Sequence, residues 1–152
     1  MNPGALLRRD YRPFFEPFPI QVPEIQSGDT YYFTAEGSLR YQVRFGKRRD
    51  NYLGNIINFS VLSEEFEDEY SETNRGGIFR IISTIIEIIR IYHENHMHSD
   101  TYEFTGEFKE TRDTQPASIR SRLYFRYAKR CLNEGWEPLL EGNKVIIRKR
   151  KP

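Results

Sequence analysis

The segment Ile78-Phe79-Arg80-Ile81-Ile82-Ser83-Thr84-Ile85-Ile86-Glu87-Ile88-Ile89-Arg90-Ile91-Tyr92 constrains the fold more than any other part of the chain. Its isoleucines are β-branched, and propensity alone allows a strand. Length decides against one, because ordinary strands run about 5–6 residues. The polar positions Arg80, Ser83-Thr84, Glu87 and Arg90 to Glu94 recur every three to four residues, as a helix requires. An apolar face this wide must lie against a sheet. The reading is therefore α+β.

Strands flank this helix. Tyr31-Tyr32-Phe33-Thr34 and the alternating Arg40-Tyr41-Gln42-Val43-Arg44-Phe45 form a hairpin about the turn Glu36-Gly37-Ser38. A basic loop, Gly46 to Asn51, leads to a third strand over Asn55 to Leu62, with Ile57, Phe59 and Val61 on one side and Asn58 and Ser60 on the other. The segment 63–75 is read as an acidic loop or lid closed by Asn74-Arg75-Gly76-Gly77. After the isoleucine helix, Thr101 to Phe108 alternates again. Thr114-Gln115-Pro116 opens a second helix that stops before Gly135, with Pro near the first turn. A hairpin turning at Glu141-Gly142-Asn143 closes the chain. The expected order is β-β-β-α-β-α-β-β, with two helices and about six strands in an antiparallel or mixed sheet.

Before the first strand, residues 1–27 form a proline-rich arm in which Tyr11, Phe14, Phe15 and Phe18 interleave with five prolines. Such density excludes a helix. The arm either packs across its own domain, residues 28–152, or docks a protein partner or second subunit.

Charge and cysteine content narrow the function classes. Lys and Arg number 23 against 22 Asp and Glu, so whole-chain charge gives no support for a nucleic-acid binder. The charges are nevertheless segregated: six acids between Glu64 and Glu72, five bases between Lys144 and Lys151. A single cysteine, Cys131, excludes an internal disulfide. No apolar run is long enough to span a bilayer, and no apolar stretch follows Arg8, Arg9 and Arg12 to make a secretory signal. A cytosolic protein without membrane attachment is the expectation.

The second helix carries the candidate site. At about 100° per residue, Ile119, Leu123, Tyr124, Tyr127 and Cys131 share an apolar arc, and Arg122, Arg126 and Lys129 lie opposite. Arg120 falls within the apolar arc. A guanidinium there must meet a carboxylate, carbonyl oxygens or an anionic ligand, because an isolated buried charge is very costly. Glu103, Glu107 and the acidic segment 64–72 are the candidate partners within the chain.

The stretch Ile119-Arg120-Ser121-Arg122-Leu123-Tyr124-Phe125-Arg126-Tyr127-Ala128-Lys129-Arg130, followed by Gly135-Trp136, resembles the arginine-rich "LY" helix of small bacterial and phage-encoded α+β domains. That resemblance implies no particular activity. The order of elements, with Arg75-Gly76-Gly77 entering the first helix, is similar to that of GNAT acyltransferases. The GNAT resemblance implies coenzyme A pyrophosphate held by backbone N–H groups at a helix N-terminus, with Tyr124 in the place of a general acid. Its glycine spacing departs from the GNAT loop, Tyr124 lies farther from the end of its helix than usual, and the acceptor-site helices after the first strand are missing.

The remaining constellations are weak. His93, His96 and His98 are read as a polar, exposed helix end rather than a zinc site. Cys131 is a small buried hydrophobe, Trp136 a core or rim aromatic, and the basic tail a solvated terminus. No serine sits in a nucleophile motif, and no phosphate-loop fingerprint occurs.

The sequence thus favours a non-catalytic binding or accessory domain of mobile-element type, without a cofactor, using Arg120, Tyr124, Arg126, Arg75, Gly76 and Gly77. The alternative is an acyl-CoA-dependent N-acyltransferase taking acetyl-CoA at Arg75–Gly77. The second alternative is a nucleic-acid-binding module using Arg122, Arg126, Lys129, Arg130 and the tail.

Overall fold

Alternating apolar strands and two amphipathic helices assemble into two layers. A computed structural model describes residues 5–35, 39–62, 75–105 and 119–151. The strands are β1 (Ile20–Gln21), β2 (Thr30–Thr34), β3 (Arg40–Lys47), β4 (Gly54–Val61), β5 (Thr101–Thr105), β6 (Trp136–Glu141) and β7 (Lys144–Lys149). The helices are α1 (Arg75–Glu94) and α2 (Ile119–Cys131). The seven strands lie in the order β1-β2-β3-β4-β5-β7-β6. Every pairing is antiparallel except β4 with β5.

The mixed α+β architecture agrees with the sequence reading, with one strand added. Ile20 and Gln21, inside the proline-rich arm, pair with Phe33 and Tyr32 and extend the sheet at its edge. A two-residue strand leaves no periodicity to read.

Alternation sorts the sheet into two faces. Tyr31, Phe33, Tyr41, Val43, Phe45, Ile57, Tyr102, Phe104, Val145 and Ile147 are buried against the helices. The other face carries Tyr32, Gln42, Arg44, Asn58 and Ser60, brought side by side by the register. No described helix covers it. At its centre Glu103, 8 % exposed, accepts from Arg48 at 2.9 Å and lies 3.7 Å from Lys144.

α1 begins earlier than its hydrophobic periodicity. Arg75, Gly76 and Gly77, read as the close of a loop, form its first turn. A first turn needs no intrahelical N–H partners, so the low helix propensity of glycine matters least there. The inner stripe Ile81, Ile82, Ile85, Ile86, Ile88 and Ile89 is fully buried.

The arm lies over both helices. Leu6, Leu7 and Phe18 are buried, and the Arg8 and Asn133 amides donate to Cys131 and Leu6 carbonyls at 2.8 and 2.9 Å. Along α1, the Phe18 amide donates to Thr84 Oγ1 at 2.9 Å, Ser83 Oγ to the Phe15 carbonyl at 2.6 Å, and Arg80 Nε to the Glu16 carbonyl at 2.9 Å. Phe18 also stacks on Phe33, with the Arg80 guanidinium 3.9 Å from its ring centroid.

Candidate functional site

β4 and β5 run together only over Gly54–Ile56 and Thr101–Glu103. Beyond that β4 continues on β3 alone as far as Val61, and β5 stays with β7. Asn55 fastens the closed end: its side chain donates to the Thr101 carbonyl and accepts from Tyr92 Oη and Lys47 Nζ. The open end is wedged by aromatic rings. Tyr124 from α2 packs 6.1 Å from Phe59 of β4 and 5.2 Å from Phe104 of β5, centroid to centroid.

Both helices point their N-termini at this open end. Tyr127 of α2 donates to Ser83 of α1 at 3.2 Å, and Trp136, just after α2, meets His93 near the end of α1 at 5.0 Å. The helices therefore run in the same direction. β4 and β5 run the opposite way along them, from Tyr92 and His93 toward Tyr124. Among the described residues neither helix has an acidic residue in its first turn, where a helix dipole favours negative charge.

The candidate residues divide between this end and the outer surface. Arg120, one turn before Tyr124, is 7 % exposed, inside the packed arc as its sequence position requires. Arg75, Gly76 and Gly77 open α1 at the same end. Tyr124 is 1 % exposed, its ring enclosed by Phe59 and Phe104. Arg126 stands apart, exposed on the outer surface of α2 with Arg122, Lys129 and Arg130.

Several expectations are corrected. Glu103, a candidate partner for Arg120, lies on the open face of the sheet and is engaged by Arg48 and Lys144. Glu107, the acidic segment 64–72 and the opening Thr114-Gln115-Pro116 lie outside the described residues. Leu123 is only half-buried, and the buried arc of α2 is instead Arg120, Ser121, Tyr124, Tyr127, Ala128 and Cys131. Ser121 sets this phase by donating to the backbone and side-chain oxygens of Asn143, at 2.9 and 2.8 Å, beside the turn made by positive-φ Gly142. His93 is buried, not exposed: its Nδ1 lies 2.7 Å from Tyr102 Oη, and Trp136 packs edge-on against the ring. His96 stacks on Tyr92, and His98 is exposed. Among the described residues no group of three His, Cys, Asp or Glu could hold a metal ion.

One polar chain escaped sequence reading. Tyr11 Oη lies 2.8 Å from Tyr127 Oη, which donates to Ser83. Burial first, then the bond to Tyr127, push the Tyr11 hydroxyl far above its ordinary range. Burial likewise raises the Cys131 thiol to about 12, leaving it neutral and unreactive. Two tyrosines in segments far apart in sequence carry no motif, so only the fold could join them.

No described helix is long and apolar enough to cross a membrane. Comparison of the chain with protein-family models, curated proteins and solved structures found no match.

Proposed function

We propose that this is a non-catalytic binding domain for an anionic, phosphate-bearing ligand, seated where β4 and β5 part. One observation carries the reading: parallel strands diverge beneath two helix N-termini, and among the described residues neither helix has an acid in its first turn. A parallel βαβ crossover favours ligands at the carboxyl ends of its strands. Unpaired N–H groups and the helix dipole favour an anion there. Gly76 and Gly77 add no side-chain bulk in the first turn of α1, and Arg75 of the same turn is a cation.

The succession of elements is the one on which the resemblance to GNAT acyltransferases rests, and it makes coenzyme A the first ligand to try. Catalysis is disfavoured for two reasons. Only residues 22–29 separate β1 from β2, too few for acceptor-site helices. Tyr124, the residue in the general-acid place, is sealed between Phe59 and Phe104.

Thermal denaturation with coenzyme A, ATP or pyrophosphate tests the reading. A ligand at 100 times its dissociation constant stabilises by about 2.7 kcal/mol, and Arg75→Glu should abolish the rise. Stabilisation without release of free thiol from acetyl-CoA in the presence of amines supports a binding domain. Turnover would replace it with the acyltransferase, and no stabilisation by any of the three would remove the site.

A further inference from the structure

A cavity of about 550 Å³ lies between the arm, α1 and α2. Its volume falls in the ordinary range for small-molecule sites. Phe14, Phe15 and Phe79 form an aromatic wall, with Phe15 stacked on Phe79 at 4.9 Å. Phe14 is 62 % exposed, with the Arg130 guanidinium 5.7 Å from its ring centroid. The half-buried Leu123 adds aliphatic surface.

Polar groups at this cavity are few and of one kind. The Tyr127 hydroxyl is occupied by Tyr11 and Ser83, and the Phe15 carbonyl by Ser83. What remains is Arg126 and Arg130, four residues apart on one side of α2 and both exposed. Among the described residues neither has a carboxylate partner.

We propose that this cavity binds a planar aromatic carboxylate, its ring against Phe14 and Phe15 and its carboxylate on Arg126 and Arg130. Aromatic rings favour offset or edge-to-face contact with a flat ligand. A guanidinium fork matches a carboxylate in geometry and charge. A nucleotide fits less well, because its base edge requires hydrogen-bonding groups and, among the described residues, the lining offers only the two guanidiniums.

Calorimetric titration with 2-naphthoate, its neutral amide and AMP tests the assignment. The expected result is one-to-one binding of 2-naphthoate, about tenfold tighter than the amide, the scale of one charge-assisted hydrogen bond. The double variant Arg126→Gln/Arg130→Gln should lose that tenfold, bind the amide as before and keep its thermal midpoint, since both side chains are exposed. Phe14→Ala should weaken naphthoate and amide alike. Absence of saturable naphthoate binding, equal binding to the double variant, or tighter binding of AMP would overturn the proposal.

Discussion

The two helices have similar amphipathic patterns and opposite fates for their polar sides. On α1 the polar residues Ser83 and Thr84 are wholly buried, because the backbone of the arm arrives to bond with them. On α2 the polar residues Arg122, Arg126, Lys129 and Arg130 stay exposed. A polar stripe therefore marks where a helix has no apolar neighbour, which is not the same as where it meets water. The hydroxyls of Ser83 and Thr84 take the arm's backbone as their partner, whereas the cations of α2 keep their hydration.

The inner faces, by contrast, are alike, and alkaline pH should break both together. Burial raises Tyr92 on α1 to about 12 and Cys131 on α2 to about 12, with Tyr31 at about 12 and Tyr102 pushed further in the same direction. Unfolded, these groups ionise from their ordinary 9.0 for the thiol and 10.0 for the phenols. Above pH 9 the unfolded chain thus holds fewer protons than the folded one, and stability falls as pH rises. Their contribution is complete below pH 9 and lost progressively toward pH 12. Denaturation midpoints across that range should drop cooperatively, with tyrosinate absorbance from the buried rings appearing only on unfolding. Tyrosinate signal from the buried rings of a still-folded protein would contradict this.

A smaller effect should separate the outer faces. Thr84→Val keeps shape but leaves the Phe18 amide without its acceptor, at a cost of about 1–3 kcal/mol. Urea denaturation should register that loss. On α2 the matching change, Arg122→Gln with Lys129→Gln, should stay within about 0.5 kcal/mol of the parent. A loss on α2 equal to that of Thr84→Val would erase the distinction drawn between the helices.

The same contrast explains what was legible in the sequence. Periodicity placed α1 and the paired strands, since side-chain direction repeats locally. The burial of Arg120 was legible too, as a charge within an apolar arc. The phase of α2 was not: Leu123 looks like core, yet Ser121 docking on Asn143 rotates it toward the groove. His93 reads as solvent-facing beside Glu94 and Asn95, and becomes core only because Tyr102 and Trp136 meet it from other strands. Arg75–Gly77 reads as loop because glycine signals turns, while helix ends tolerate it. Each error involves a partner remote in sequence or an end effect that periodicity does not encode.

The bridge between Leu7 and Leu132 has a consequence for assembly. Residues at Leu6 to Arg8 find their seats on the end of α2, made much later in synthesis, so this part of the arm must wait with its apolar side chains uncovered. Closing so long a loop comes late and slowly. During that interval the nascent arm is the part of the chain on which a chaperone would have most to hold.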